Sequence, residues 1–224
     1  MNGSGSTILE FRGPFGVPVV IQSSIIFLGL ILIGFSGGVA NLIYSAIFFA
    51  MLVLSIFLHE FGHAWGCIVQ GVPVRRVVIF GGGGFCEYAR APTPYQSELI
   101  VAMGPIVNFA IWAVISLGHT WIGGGLVFDN YYLTIALLDL AWINLFLGIL
   151  NMIPVVPLDG GRLLQLGLMR FFPAATATRI TGGVGLAFSV LWFPAMFFSF
   201  VFYGLVLFFF PSIRLHYEML RAGP

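Results

Sequence analysis

Long apolar runs, separated by short polar or glycine-rich segments, dominate the hydrophobic pattern of this chain. An α-helix needs about 20 apolar residues to cross the hydrocarbon core of a membrane. The pattern predicts about six such helices, over residues 18–35, 42–69, 97–118, 132–152, 180–193 and 195–210. The predicted fold class is therefore an all-α polytopic membrane protein.

Glycine and proline mark the predicted connections. A Gly-Gly pair at 37–38 separates the first two runs, and the segment 123–130, with Gly-Gly-Gly and Asp-Asn, separates the third from the fourth. These residue types favour turns. Pro194 divides the last apolar stretch into two short parts. That stretch is therefore either a hairpin of two helices or one helix bent at the proline.

The composition agrees with a membrane protein. Of the 224 residues, 59% are hydrophobic and 8% are charged, whereas a soluble domain carries about 25% charged residues. So few charges cannot cover a water-facing surface. The net charge of +1 excludes a strongly basic nucleic-acid-binding protein. The two cysteines do not make a disulfide framework.

The arginines give a predicted orientation. With six spans and a cytoplasmic N-terminus, all nine arginines fall on the cytoplasmic side, as the positive-inside rule requires. A single bent last helix would instead place Arg214 and Arg221 outside. We therefore expect both termini to be cytoplasmic, and the compactness of the chain indicates a prokaryotic inner membrane.

The second apolar run contains three ionisable side chains, His59, Glu60 and His63. Charges inside a membrane are costly unless they are paired or bound to a metal, so they indicate function by default. Histidines four residues apart share one face of a helix and can hold one zinc ion, with the intervening glutamate placed as general base. Cys67 follows one turn later and is interpreted as a small buried thiol.

A catalytic zinc site needs a third protein ligand beside the two histidines. His119, at the outer end of the third run, and His216, in the C-terminal tail, are interpreted as interfacial side chains. Asp159 is a stronger candidate, because prolines at 154 and 157 break the chain before it and glycines at 160 and 161 follow. Broken backbone at membrane depth is tolerated where it is buried or lines a cavity. The alternative is an inner loop in which Asp159 caps the next helix.

The two motifs, H-E-x-x-H at 59–63 and N-x-x-P-x-x-P-L-D-G at 151–160, resemble those of the site-2 protease family of intramembrane zinc metalloproteases. The family carries both in this order on two transmembrane helices. The likeness extends over about residues 13–170. Its further elements are Gly-Val-Pro at 16–18, Gly-Val-Pro-Val at 71–74, the glycines at 81–84, and Ala-Met-Gly-Pro-Ile-Val-Asn at 102–108.

The resemblance implies roles for individual residues. It implies that one Zn²⁺ per chain is bound by His59, His63 and Asp159. It also implies that the catalytic acid/base is Glu60. Asn151 corresponds to an asparagine that contacts the substrate or the developing oxyanion, and Asn108 is a second candidate for binding the substrate. The alternative for both asparagines is packing between helices. Gln22 departs from the family, because many members carry a histidine there.

A strand-like segment follows the second run. Residues 72–80 are rich in β-branched side chains, and four glycines follow at 81–84, where another backbone can approach closely. We expect a small membrane-associated β element on the cytoplasmic side. Our hypothesis is that this edge, with Phe80, Gly81 and Gly82, binds an unwound substrate by strand addition. A simple amphipathic loop is the alternative.

The function implied by the resemblance is hydrolysis of peptide bonds within or near the transmembrane segments of single-span proteins, inside the lipid bilayer. One alternative is a metal or proton transporter, which is expected to have further intramembrane ionisable residues; beyond the metal site, Asp139 is the clear example. The other is a catalytically silent homologue that binds membrane proteins. The predicted organisation is an N-terminal segment (1–17), a catalytic membrane core (18–170), and a transmembrane hairpin with a cytoplasmic tail (171–224).

Overall fold

The computed structural model describes residues 5–34, 37–122, 130–203 and 209–222. The chain divides into two compact units. The first consists of Met1–Pro92 with Met103–Ile149, and the second of Thr93–Ala102 with Leu150–Pro224. The predicted connection at 123–130 lies outside the described residues, apart from Asn130. The predicted domain boundaries after 17 and 170 stay predictions.

The described chain is mainly helical. Its α-helices are α1 (Ser24–Leu32), α2 (Gly38–Val69), α3 (Pro94–Ile122), α4 (Tyr131–Asn151), α5 (Asp159–Leu168), α6 (Ala174–Tyr203) and α7 (Ile213–Arg221). Within the described residues, four of them are long and apolar enough to cross a membrane, namely α2, α3, α4 and α6. The chain is thus an integral membrane protein, and six spans are not confirmed.

The predicted helix over 18–35 is wrong. Residues 18–22 form a strand, and α1 has nine residues, which extend about 14 Å and fall short of a hydrocarbon core about 30 Å thick. The predicted break before the second helix is confirmed, because α2 begins at Gly38 and Gly37 has φ +114°. At its other end, α2 is followed by Gly71 with φ +66°, the left-handed conformation that often terminates helices.

Of the two alternatives for the last apolar stretch, the hairpin divided at Pro194 is wrong, because α6 continues through this residue as one helix. Membrane helices tolerate an internal proline where neighbouring groups compensate for the lost hydrogen bond. After α6 the chain returns along it: the Trp192 indole donates to the Phe209 carbonyl at 2.8 Å, and Arg179 donates to the Ala222 carbonyl at 2.6 Å. The return places the end of α7 beside the beginning of α6. Arg221 and Arg179 therefore lie near the same end of α6.

Four strands form one sheet in the first unit: β1 (Thr7–Arg12), β2 (Pro18–Gln22), β3 (Val74–Phe80) and β4 (Gly83–Tyr88), in the order β1-β2-β3-β4. The β1–β2 and β3–β4 pairs are antiparallel, and β2 and β3 are parallel, with Val20 opposite Val78. The predicted β element after the second apolar run is therefore confirmed. The cytoplasmic side assigned to it stays a prediction.

The sheet packs on α2 through an apolar core. Its fully buried members include Val19 of β2, Val77 of β3 and Ala64 of α2. Other members of the cluster come from α1, α2, β3 and α4, and they are Ile25, Ile56, Phe61, Ile79, Ile143 and Leu147. Because this packing surrounds residues 56–64 of α2, it fixes the part of the helix that carries the three ionisable side chains.

Candidate metal centre

Helix α2 brings His59, Glu60 and His63 together inside the first unit. Their exposed fractions are 5%, 6% and 7%. The Nε2 atoms of the two histidines are 3.2 Å apart. One ligand atom from each of the three residues lies within 4.8 Å of the others. Two nitrogen ligands at about 2.0–2.1 Å from a tetrahedral zinc ion lie about 3.3–3.4 Å apart, so the histidine pair fits Zn²⁺.

A buried hydrogen bond sets the tautomer of His59. Its Nδ1 lies 2.5 Å from Oδ1 of Asn108, a fully buried residue of α3. The Asn108 amide nitrogen donates to Oδ1 of Asn144 in α4 at 2.7 Å. Asn108 therefore presents its oxygen to His59, whose Nδ1 carries the proton. Nε2 retains its lone pair, as a metal ligand requires.

The same chain of hydrogen bonds continues back to α2. The Asn144 amide nitrogen donates to Oγ of Ser55 and to the Leu140 carbonyl, each at 2.9 Å. Ser55 donates its own proton to the Met51 carbonyl at 2.8 Å. Each donor direction is thereby determined, and Ser55, Asn144 and Asn108 are all fully buried. The sequence reasoning missed Ser55 and Asn144, although Ser55 lies four residues before His59 and thus on the same face of α2.

Two glycines make room for the histidine rings. A Cβ atom at Gly104 of α3 would collide with the rings of both His59 and His63. A Cβ at Gly62 would meet the backbone carbonyl of Met103 at 2.5 Å. The absence of both side chains lets α3 approach α2 and leaves a small space beside the two Nε2 atoms. A metal ion fits there where a methyl group does not.

The glutamate of the motif faces the last strand of the sheet. A Cβ at Gly84 of β4 would lie 2.5 Å from Cγ and 2.9 Å from Oε1 of Glu60. The backbone of β4 thus passes directly beside the carboxylate. Among the predicted peptide-binding residues, Phe80 ends β3, and the Gly81 N–H donates to Ser24 Oγ at 3.0 Å. Gly84 of β4 therefore contacts Glu60, whereas Gly81 and Gly82 lie beside Ser24 and Phe80, and the sequence did not predict this contact.

The second motif lies in the second unit. Asn151 ends α4 and Asp159 begins α5. Leu158 occupies the N-cap position, so Asp159 lies in the first turn of α5 and not at the cap position that the sequence left open. Oδ2 of Asp159 is shielded from solvent. Its role as a ligand and the role of Asn151 at the site stay predictions.

The two cysteines lie in contact at the border between α2 and the sheet. Cys67 is fully buried, and both thiols are free. The hydrogen bond that the Cys86 S–H donates to Cys67, together with burial, raises the pKa of the Cys86 thiol, which therefore remains protonated and weakly nucleophilic. The interpretation of Cys67 as a buried thiol is confirmed.

Two other polar side chains differ from expectation. His216, interpreted as interfacial, is fully buried in α7, so that interpretation is wrong.

Asp139 of α4, for which the sequence offered no partner, accepts a hydrogen bond from the Tyr44 hydroxyl of α2 at 2.9 Å. This contact gives Asp139 a structural partner within the membrane helices.

Comparison with known proteins agrees with this site. Residues 47–124 and 129–192 match Peptidase family M50. A zinc metalloprotease of Methanocaldococcus jannaschii is 28% identical over 176 residues, which are 79% of this chain and 50% of that protein. Stage IV sporulation protein FB of Bacillus subtilis is 28% identical over 149 residues, 62% of this chain and 46% of that protein. The chain thus spans about half the length of these curated relatives.

A solved structure shares the fold. The site-2 protease from Methanocaldococcus jannaschii has a TM-score of 0.64 and 24% sequence identity, and the match covers 97% of this chain and 93% of that one. Apolar membrane helices and a buried His-Glu-His cluster that could hold a metal ion define a membrane protein with a candidate metal centre. The chain belongs to Peptidase family M50.

Proposed function

We propose that this protein is an intramembrane zinc endopeptidase that hydrolyses peptide bonds within or near the transmembrane segments of single-span proteins. The observation that carries the proposal is the buried pair of His59 and His63 with Glu60 on a membrane-spanning helix, with the two Nε2 atoms 3.2 Å apart. A lipid-embedded cluster of this kind has its natural substrates in the same bilayer.

One Zn²⁺ per chain is proposed, held by His59, His63 and Asp159. The carboxylate of Asp159 supplies the third protein ligand that catalytic zinc sites have. The hydrogen-bonded tautomer of His59 and the space left by Gly104 support the first two ligands. The sequence motif around Asp159 and the shielding of its Oδ2 support the third.

In such a site, zinc supplies Lewis-acid polarisation of a carbonyl and activation of water. Glu60 is proposed as the general base that removes a proton from the attacking water and as the acid that returns it to the leaving amine nitrogen. Asn151 is proposed to donate a hydrogen bond to the developing oxyanion. Asn108 has both its amide atoms engaged by His59 and Asn144, which favours orientation of His59 over contact with the substrate.

The edge of β4 that pairs with no other described strand is the proposed platform for the substrate. A transmembrane helix hides its amide groups in internal hydrogen bonds, so it must become extended before a carbonyl is accessible to attack. Among the described strands, β4 pairs with β3 on one side, and Gly84 brings its backbone beside Glu60. A substrate strand added to this edge, next to Phe80 and the turn at 81–82, would present its peptide bond to the carboxylate.

The apolar helices support an integral position in the bilayer. Side chains such as Leu54, Ile106 and Trp142 are 47%, 48% and 68% exposed, as lipid-facing residues are expected to be. We propose a prokaryotic inner membrane, as the compactness of the chain suggests, with both termini on the cytoplasmic side. Arg12 of β1 and Arg75 and Arg76 of β3 belong to one sheet, and arginines are enriched on the cytoplasmic side of membranes.

Cleavage of a single-span reporter in detergent with added zinc tests the proposal. The Glu60→Gln variant is compared with the parent and with Glu218→Gln, a matched change at an exposed residue of α7. We expect Glu60→Gln to lose about 10²–10⁴-fold in rate while it still binds zinc, and Glu218→Gln to cleave like the parent. Equal cleavage by all three would assign the activity to a contaminant. Zinc flux in proteoliposomes without cleavage would favour a transporter.

A further inference from the structure

His216 holds the backbone of the loop that precedes Asp159. Its Nε2 accepts a hydrogen bond from the backbone N–H of Val156 at 3.1 Å. Val156 lies between α4 and α5, three residues before Asp159. All these residues belong to the second compact unit. The imidazole on α7 thus provides a hydrogen-bond acceptor for this loop amide.

The ring of His216 is held on several sides. Its Nδ1 lies 2.8 Å from the Ser212 carbonyl and 3.3 Å from Ser189 Oγ. Ser189 donates its own proton to the Gly185 carbonyl at 2.7 Å, so both groups around Nδ1 act as acceptors. The proton therefore resides on Nδ1, and the lone pair of Nε2 faces Val156.

Close helix packing keeps this ring in place. A Cβ at Gly185 of α6 would collide with the imidazole of His216, and a Cβ at Gly182 would meet the backbone N of Leu220 at 2.5 Å. Ser212 caps α7 by accepting the Leu215 N–H at 3.2 Å. The imidazole is fully buried. Helix α7 therefore places one imidazole acceptor beside the loop.

We propose that His216 is a positioning residue for the metal site, because it fixes the loop that orients the carboxylate of Asp159. This inference rests on the proposed function, in which Asp159 is the third ligand. It assigns a role to α7, which lies beyond the residues 47–192 that span the family match. A buried histidine that accepts from a loop N–H restrains the backbone, just as outer hydrogen-bond partners orient metal ligands elsewhere.

The test compares zinc affinity, measured by competition with a chelator, in the full-length protein and three histidine variants. His216→Leu keeps the burial and removes the acceptor, whereas His216→Gln retains a side-chain oxygen for the Val156 N–H. His119→Leu, at an exposed residue of α3, is the matched control. We expect about tenfold weaker zinc binding in His216→Leu, affinity close to the parent's in His216→Gln, and no change in His119→Leu.

Parental zinc affinity in a folded His216→Leu variant would overturn the proposal, and so would equal weakening in His216→Gln and His216→Leu. Thermal unfolding in detergent establishes that each variant is folded. If His216→Leu does not fold, Gly185→Ala replaces it, because its methyl group displaces the ring without removing it; unchanged zinc affinity there would also overturn the proposal. Asp159→Asn separates the two ideas: unaltered zinc binding in that variant refutes the proposed ligand set itself.

Discussion

Nδ1 of His59 lies 2.5 Å from Oδ1 of Asn108, and this contact joins α2 to α3 in the interior of the first unit. It directs the other ring nitrogen toward His63, whose Nε2 is 3.2 Å away. The orientation of a metal ligand in α2 therefore depends on a neutral amide in α3. Metal ligands in proteins commonly rely on such outer partners, and their loss typically costs about 10–100-fold in metal affinity or activity.

Replacement of Asn108 by leucine should weaken zinc binding about 10–100-fold, because His59 loses the acceptor that fixes its tautomer. Chelator competition measures the affinity. Asn41→Leu, an exposed change near the start of α2, is the matched control and should bind zinc like the parent. A raised KM with unaltered zinc affinity would instead assign Asn108 to the substrate, as the sequence first indicated.

Replacement of Gly104 by alanine should abolish the metal centre. The added methyl group would lie 2.5 Å from Nε2 of His63 and 2.7 Å from Nε2 of His59, so both rings must move. We expect a loss of zinc affinity larger than the roughly 100-fold upper range for an outer partner. Zinc content after dialysis measures it. Gly167→Ala in α5, where a Cβ meets nothing within 4 Å, should leave the zinc content unchanged. Full zinc occupancy in Gly104→Ala would contradict the proposed position of the metal.

Replacement of Gly84 by alanine should separate catalysis from metal binding. Its Cβ would lie 2.5 Å from Cγ of Glu60, so the carboxylate must move. A displacement of about 1 Å at a catalytic group can cost about 100-fold in rate. We expect kcat to fall by this order while zinc affinity stays at the parental value. Gly183→Ala in α6, where the nearest atom is at an ordinary 3.5 Å, serves as the control. Parental kcat in Gly84→Ala would remove the support for β4 as the catalytic edge.

The β3–β4 hairpin should lose stability in acid. The hydrogen bond from Arg76 lowers the pKa of Glu87, and the charge of Arg75 adds to the effect. A depressed folded pKa means that the stabilisation is fully present above the unfolded value of about 4.3 and is lost as pH falls through the folded pKa. Because these side chains are partly exposed, the contribution is about 0.2–1 kcal/mol.

Unfolding of Glu87→Gln and the parent at pH 7 and pH 3 measures this contribution. The difference between the two proteins should be present at pH 7 and shrink toward zero at pH 3, and added salt should reduce it at pH 7. Glu10→Gln, at an exposed residue of β1, controls for the loss of one carboxylate. A difference that persists undiminished at pH 3 would show that the ion pairs are not its source.

The sequence predicted the site's ligand pair better than its surroundings. Spacing alone places His59 and His63 on one face of a helix, because a helix has a fixed period. The hydrogen bonds from Asn108 through Asn144 depend on how α2, α3 and α4 pack, and no local pattern encodes that packing. The burial of His216 is also a tertiary property, because it follows from the return of the chain along α6.

The errors in the fold have similar causes. Residues 18–22 join an apolar run that continues into α1, and periodicity cannot separate a short buried strand from a helix in such a run. Pro194 was interpreted as a possible turn, although α6 continues through it. The β element was foreseen at residues 72–80 because its β-branched side chains and flanking glycines give a local signal. The pairing of β2 with β3 joins segments more than 50 residues apart and has no such signal.

The chain of hydrogen bonds from Ser55 through Asn144 and Asn108 to His59 begins and ends on the same helix, four residues apart. It therefore fixes the positions of α2, α3 and α4 relative to one another along their axes. Lipid tails are as apolar as leucine, so sliding one membrane helix past another meets little hydrophobic resistance. A slide of one residue, about 1.5 Å, would break several of these bonds at once where no water can replace them. The depth of the His59 ring in the bilayer thus depends on Asn108 of α3 and Asn144 of α4 as well as on the position of α2 itself.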